Sequence, residues 1–159
     1  MTAISHHAAP PPAAPVTTEA AHIQTPFGPI SPEAVSVLHF AGGILGFPGL
    51  TDFALAPVPD PRLERFMVLQ SLEDPAVSFI VLPMAEDGPI AAADRAEACA
   101  MLGSAQSDTA FLLVVTVRSD ARGRAMTVNL RAPIAVDASH RRARQCVLSN
   151  NAYSVRHPL

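Results

Sequence analysis

The sequence predicts a mainly β protein, folded as a single antiparallel, barrel-like domain with one short helix. From residue 23 onward, short runs of β-branched and apolar residues are separated by Pro, Gly and Asp, which is typical of an all-β domain. Apolar residues make up 49% of the 159-residue chain but aromatic residues only 5%, so the core must be mainly aliphatic, which suits packed strands. The connections are mostly short, which favours antiparallel neighbours.

The first 21 residues differ in composition from the rest. They are rich in Ala and Pro without a periodic apolar pattern, so we expect a disordered tail over residues 1–21 and a folded domain over residues 22–159. The tail lacks the basic start and the apolar run of a signal peptide. No later stretch approaches the roughly 20 apolar residues of a membrane span, so the sequence predicts a cytoplasmic protein without a membrane segment.

Eight segments have the composition of strands and are bounded by turn residues. They are residues 35–40, 65–70, 77–82, 109–118, 125–130, 134–136, 145–148 and 153–157. Residues 110–117 are apolar at every position except Thr116, so this strand should be central and covered on both faces. Residues 119–123, which include Asp and Gly, predict a hairpin turn after it.

One helix interrupts the strand pattern. Asp94 and Glu97 have the spacing of a capping box, residues 95–102 are mostly good helix formers, and Gly103 should end the helix. Because so short a helix is marginal alone, it must dock on the sheet, where it would close one end of a barrel. The residues expected to make this contact are Ala98, Met101 and Leu102.

The sequence shows no motif that is typical of a catalytic site or a metal site. Cys99 and Cys146 have no CxxC or His-linked spacing, so we expect buried, reduced thiols. The Gly-rich residues 42–46 follow a strand but lack the Lys-Ser/Thr pair and the helix of a phosphate loop. No nucleophile and base stand in a pattern that indicates catalysis. We therefore expect a protein that is not an enzyme and needs no cofactor or metal.

Charge is unevenly distributed along the chain. Residues 1–117 carry a net charge of −9 and residues 118–159 a net charge of +6. The basic part contains residues 140–144 together with Arg118, Arg122, Arg124 and Arg131. This footprint makes an RNA- or nucleotide-binding β-barrel, using the C-terminal Arg cluster, the alternative function. Stacking aromatic side chains are missing from the cluster, since only Tyr153 is nearby.

Four ordered segments carry motifs more specific than composition. The first has Phe40, Gly43-Ile44, Gly-Phe-Pro-Gly-Leu at 46–50 and Phe53. The second has Phe66, Leu-Gln-Ser at 69–71, Asp74-Pro75, Phe79 and Pro83. The third reads TVNLRAPI at 127–134, and the last has Gln145, Val147-Leu148, Tyr153, Arg156 and Leu159. In this order they resemble the bacterial flagellar assembly factor family FliW over residues 23–159.

The resemblance implies a compact antiparallel β-barrel-like domain that acts by binding proteins. The implied partners are flagellin and the RNA-binding translational repressor CsrA, bound in a mutually exclusive manner. Binding CsrA would relieve its repression of flagellin mRNA, while flagellin in the cytoplasm would sequester the protein and restore repression. We expect a monomer that makes no direct contact with nucleic acid or membrane.

The motifs also suggest a contact surface. The residues expected to contribute to it or support it are Phe47, Pro48, Gln70, Ser71, Asn129 and Pro133, and those expected to supply negative charge are Glu73, Asp74, Glu86 and Asp87. Such a surface is partly apolar with a polar rim, and its negative field favours encounter with a basic RNA-binding protein. The basic C-terminal third would repel such a partner if it were exposed on the same face.

Two local details complete these expectations. Gly46 and Gly49 bracket Phe47-Pro48 and should adopt positive φ in a tight turn, which Phe47 and Phe53 anchor on the core. The chain departs from the family at residues 84–90, where the usual acidic-aromatic element has no aromatic residue.

Overall fold

A computed structural model describes residues 22–159 of the chain, so the predicted disordered tail, residues 1–21, lies outside the described residues. The described part contains eleven strands and one α-helix. The strands are β1 (Ile23–Thr25), β2 (Gly28–Ile30), β3 (Ser36–His39), β4 (Asp52–Pro57), β5 (Met67–Ser71), β6 (Ser78–Pro83), β7 (Thr109–Asp120), β8 (Gly123–Val128), β9 (Ile134–Asp137), β10 (Arg142–Gln145) and β11 (His157–Pro158). The helix is α1 (Ala92–Leu102).

Seven of these strands form a closed barrel. Strands β3 to β7 are joined in an antiparallel meander, and the first half of β7 pairs with β9. Strand β9 pairs with β10, which closes the ring on β3 through one parallel register pair, Arg142 opposite His39. The second half of β7 pairs with β8, to which β11 adds two residues, while β1 and β2 form a separate hairpin. The predicted fold class is confirmed.

Strand β7 is covered on both faces over residues 111–115, as its sequence predicts, whereas Ala110, Thr116 and Val117 are exposed. Phe111, Leu113 and Val115 belong to one apolar cluster, whereas Leu112 belongs to a second cluster that includes the fully buried Phe53. Because successive side chains of a strand point to opposite faces, the sheet has a packed cluster on each face. The hairpin predicted at residues 119–123 is also present, since β7 ends at Asp120 and β8 begins at Gly123.

The start of α1 differs from the prediction. The helix begins at Ala92, and Ala91 before it makes no side-chain cap hydrogen bond. The predicted capping box is wrong because Asp94 and Glu97 lie inside the helix, where their carboxylates accept hydrogen bonds from residues 149–153. These hydrogen bonds fasten the segment before β11 to the helix.

The end and the docking face of α1 follow the prediction. Gly103 ends the helix in the left-handed conformation, with φ 73°. Ala98 is fully buried, and Met101 and Leu102 pack half-buried against the same core cluster on the side of β9 and β10. No helix among residues 22–159 has the length and apolar character needed to cross a bilayer.

Six of the eight predicted strands lie within two residues of their observed bounds, and two are misplaced. Strand β10 begins three residues before the predicted segment 145–148, and β11 retains only one residue of 153–157. The prediction missed β4 because its sequence, DFALAP, is rich in residues of low strand propensity, which pairing with both β3 and β5 outweighs. It also missed β1 and β2, which are too short for a periodic signal.

Candidate functional site

The Gly-Phe-Pro motif forms the loop 40–51 between β3 and β4. Gly43 adopts φ 68° and Gly46 adopts φ 88°, and a Cβ on Gly43 would lie 2.3 Å from the backbone oxygen of Phe47. Only glycine fits such a position, because a side chain there would clash with the turn that it begins. The expected positive φ is confirmed at Gly46 but wrong at Gly49, because the other left-handed residue of the turn is Gly43.

Aromatic rings anchor this loop on the barrel. Phe53 is fully buried and lies edge-on to Phe40, with 5.2 Å between the ring centroids. Phe47 packs edge-on against Phe79 at 5.6 Å, but 37% of its surface stays exposed. Both rings anchor the turn, as predicted, and Phe47 also presents part of its ring to solvent.

A buried amide shapes the neighbouring loop, residues 72–77 between β5 and β6. Gln70 is 1% exposed, and its Nε2 donates to the backbone carbonyls of Ser71, Pro75 and Val77 at 3.0–3.2 Å. All three neighbours are carbonyl oxygens, which fixes the orientation of the amide. Gln70 therefore supports the loop from inside the protein and is not available to a partner.

Ser71 and Glu73 connect the two loops. The buried Ser71 hydroxyl accepts hydrogen bonds from the N–H groups of Glu73 and Asp74. The Glu73 carboxylate accepts hydrogen bonds from the N–H and hydroxyl of Thr51 and from the N–H of Asp52, at 2.8–3.3 Å. These bonds, first among them that from the Thr51 N–H, lower the pKa of Glu73 below its ordinary value. Glu73 thus fastens one loop to the other while keeping its negative charge.

Apolar and acidic side chains that are exposed or partly exposed lie on these two loops, which Glu73 connects. We name this surface the Phe47 patch and define it by Phe47, Pro48, Leu72, Glu73 and Asp74. Leu72 is 45% exposed, and its N–H donates to the Asp52 carbonyl. The sequence analysis did not select Leu72, although a leucine between a strand end and two acids in a turn is a recognisable signal.

Glu86 and Asp87 are not part of this surface. Both are exposed in the turn after β6, whereas the Phe47 patch lies beyond the start of that strand. Five steps along a strand separate Ser78 from Pro83, which corresponds to about 17 Å. The two acids therefore lie near the opposite end of the sheet, where the guanidinium of Arg95 donates a hydrogen bond to the Glu86 carbonyl.

Asn129 and Pro133 lie in the connection between β8 and β9. The Asn129 side-chain oxygen accepts hydrogen bonds from the N–H groups of Arg131 and Ala132, both at 3.0 Å, which is turn chemistry. Pro133 is buried, and its carbonyl accepts the N–H of Cys146. Both residues serve the fold of this connection, and a role at the contact surface would be indirect.

A groove of about 780 Å³ lies on the other side of the loop 40–51. Its walls are residues 41–46 and Pro48 of the loop, the end of α1, and β10 with the neighbouring His39. The guanidinium of Arg144 donates to the Met101 carbonyl at 3.0 Å, and that of Arg142 donates to Asp137 at 2.9 Å. Three distant segments form the groove, so no local sequence pattern indicated it.

The Asp137 carboxylate organises the start of β10. It is 1% exposed and accepts hydrogen bonds from the Arg142 guanidinium and from the backbone and ring of His140. Arg142 is the main reason why the pKa of Asp137 lies well below its usual range. Part of the Arg cluster thus serves to hold the β9–β10 turn.

These features define a small closed β-barrel with apolar and charged surface loops. Residues 22–159 contain no group of three or more His, Cys, Asp or Glu that could hold a metal. The family model described as "FliW protein" matches residues 21–159. The chain therefore belongs to the FliW family of flagellar assembly factors, and the resemblance found in its motifs is confirmed.

Individual relatives agree with this assignment. "Flagellar assembly factor FliW" of Bdellovibrio bacteriovorus is 37% identical over 135 residues, which cover 84% of this chain and 75% of the relative. The protein of the same name from Geotalea uraniireducens is 35% identical over 84% of this chain and 80% of its own length. A solved structure described as "Crystal structure of the flagellar assembly factor FliW" superimposes with a TM-score of 0.65 at 27% identity, covering 87% of this chain and 96% of that chain.

Proposed function

We propose that this protein controls flagellin synthesis by binding two proteins in the cytoplasm, flagellin and a CsrA-type RNA-binding translational repressor. It antagonises the repressor by occupying it and catalyses no reaction. The Phe47 patch is the surface that supports this function best. It combines exposed apolar side chains with carboxylates, and this composition suits a protein partner that carries basic residues.

The proposal rests mainly on the ring of Phe47, which is 37% exposed on a loop held by glycine turns and hydrogen bonds. The conformation of the loop is set by Gly43 and Gly46, and Glu73 ties it to the neighbouring loop. Because the loop is already held by these contacts, a partner that packs on Phe47 immobilises few additional groups. The entropic cost of binding is lower for this reason. Aromatic side chains are also enriched at the centres of protein interfaces.

Calorimetric titration of the purified protein with its host's flagellin, and separately with the host's CsrA-type repressor, tests this function. Micromolar or tighter one-to-one binding of either protein is the expected result. Leu72→Arg removes an exposed apolar side chain and adds positive charge, so it should weaken repressor binding at least tenfold, or about 1.4 kcal/mol. Val155→Arg is the matched control, because Val155 is 57% exposed in the segment before β11.

Two results would contradict the proposal at different levels. If the wild-type protein binds neither partner, the partner assignment is wrong. If both partners bind the Leu72→Arg protein as they bind the wild type, the partners are right and the Phe47 patch is not the site.

RNA binding is the second candidate, and one observation favours it. Arg118, Arg122 and Arg124 are exposed on the β7–β8 hairpin, and none of them forms an ion pair within residues 22–159. Other arginines of the C-terminal third serve the fold instead. These are Arg131, which donates to the Leu148 carbonyl, and Arg142 and Arg144 at the end of α1.

The hairpin arginines distinguish the two functions because they affect them in opposite directions. Ile80 pairs with Val115, so the hairpin and the loop 72–77 lie at the same end of the sheet. Replacing all three arginines by Gln should speed association with a basic repressor at low salt, because it removes like charge near the patch. The same change should weaken binding of single-stranded RNA if RNA is the ligand. Stopped-flow fluorescence and gel-shift titration measure the two effects.

A further inference from the structure

The barrel wall has an opening beside β10. The pairing of β3 with β10 is limited to His39 and Arg142, after which β3 ends and the chain enters the loop 40–51. Strand β10 continues to Gln145, so beyond Arg142 the edge that faces the loop has no strand partner within residues 22–159. The loop bridges the opening at one point, where the Leu45 N–H donates to the Gln145 side chain at 3.1 Å. The groove of about 780 Å³ is this opening.

The groove is mainly apolar and unfilled by the chain's own side chains. Leu45 on the loop side is 55% exposed, and Met101 and Leu102 of α1 lie opposite it, only half-buried. A Cβ placed on Gly42 or Gly46 would meet nothing within 4 Å, so the loop wall leaves open space. Its volume falls within the range typical of sites that enclose a ligand or several side chains.

The charge at the rim is positive. The Arg144 guanidinium donates to the neutral carbonyl of Met101, and no carboxylate of residues 22–159 forms an ion pair with it. A guanidinium has five N–H donors, so most of those on Arg144 remain available to a ligand. Arg142, by contrast, is neutralised by Asp137 and holds the strand in place.

We propose that this groove is a second binding site, which shares only Pro48 with the Phe47 patch and takes an extended peptide segment bearing apolar side chains and an acidic side chain. The segment adds to the free edge of β10 through backbone hydrogen bonds. Its apolar side chains enter the space between Leu45 and the end of α1, and its carboxylate pairs with Arg144 as a charge-assisted hydrogen bond.

Selection from a phage-displayed library of random 12-residue peptides on the full chain tests this site without assuming any partner. Enriched peptides should alternate apolar residues and contain Asp or Glu. One synthetic peptide from the selection is then titrated calorimetrically against variants. Leu45 is suited to substitution because its side chain is exposed and its structural hydrogen bond comes from the backbone.

Two substitutions at Leu45 separate charge from apolar contact. Leu45→Glu places a like charge beside the acidic side chain of the peptide and should weaken binding at least tenfold. Leu45→Lys loses the same apolar contact but adds a favourable charge, so it should weaken binding severalfold less than Leu45→Glu does, since an exposed ion pair contributes up to about 1 kcal/mol. Leu72→Arg in the Phe47 patch should leave the affinity unchanged, and thermal unfolding checks that each variant is folded.

Three outcomes would overturn the proposal. They are the absence of enrichment above a surface without protein, enrichment of basic peptides, and a selected peptide whose affinity is equal for the wild type and Leu45→Glu. The result is independent of the proposed function, because a protein that fails to bind flagellin or the repressor would still bind the selected peptide.

Discussion

Replacing Gln70 by Met tests whether its buried amide holds the loop that carries Leu72 and Glu73. The Nε2 group reaches three carbonyl oxygens but has only two hydrogens, so the variant loses about two hydrogen bonds, each worth about 1 kcal/mol. The Gln70 Oε1 is buried without a partner, and its removal returns about 1 kcal/mol. The Val77 carbonyl keeps a second donor, the Ser71 N–H. The expected net loss is therefore about 1 kcal/mol, or about 3 °C in Tm.

Urea unfolding measures this loss as a lower midpoint with an unchanged slope. Gln106→Met is the matched control, because Gln106 is exposed and should give a change within about 0.5 kcal/mol. Hydrogen exchange adds a local readout, since the Ser71 N–H, which closes the loop on Val77, should exchange faster in the Gln70 variant. Equal stability and equal exchange in the Gln70→Met and wild-type proteins would refute the supporting role of Gln70.

Three further predictions concern the loop, the β9–β10 turn and the thiols. Gly43→Ala should destabilise the protein by at least about 2 kcal/mol in thermal unfolding, since it combines a left-handed φ with a clash on the Phe47 carbonyl. Asp137→Asn should flatten the acid dependence of the urea midpoint. A carboxyl pKa lowered by folding contributes stability above its unfolded value, near 4, and this stability is lost as pH falls. Burial raises the pKa of Cys146 to about 11, so at pH 8 a disulfide reagent should label this thiol only after unfolding.

Each of these three predictions has a control or a result that would contradict it. Gly42→Ala should be tolerated, because its Cβ meets no atom within 4 Å, and equal losses at Gly42 and Gly43 would contradict the clash. Parallel pH profiles for the wild type and Asp137→Asn would show that Asp137 does not couple folding to protonation. Rapid labelling of Cys146 in the native protein would contradict its burial beneath α1.

The strands of high β-propensity could be read from the sequence, and those formed by tertiary pairing could not. Residues 110–117 predict β7 because they contain the longest uninterrupted apolar run in the chain, residues 110–115. Strand β4 has no such signal, since Ala and Pro dominate it and its stability comes from β3 and β5 on either side. Tertiary contacts also explain why β10 was misplaced. Its arginines have the composition of a loop, and they occupy a strand because Asp137 and the carbonyls at the end of α1 accept their hydrogen bonds.

The candidate site was also predictable only in part, because local motifs can be recognised in the sequence and tertiary contacts cannot. Phe47 and Pro48 were found because a Gly-Phe-Pro turn has a local signature. Glu73 was selected for its charge, but its hydrogen bonds reach Thr51, 22 residues earlier in the chain, and no spacing rule connects those positions. Glu86 was selected for the same charge, yet the length of β6 places it at the other end of the sheet.

The position of the basic residues decides how the uneven charge along the chain acts in space. Arg142 is neutralised by Asp137, and Arg131 donates to the Leu148 carbonyl, so these two arginines stabilise the fold. Arg144 donates to the Met101 carbonyl but keeps most of its N–H groups available. Arg118, Arg122 and Arg124 lie on the β7–β8 hairpin and form no ion pair within residues 22–159, at the end of the sheet that also carries Glu73 and Asp74. The two signs oppose each other there, and for that reason removal of the hairpin arginines has opposite consequences for a basic protein and for RNA.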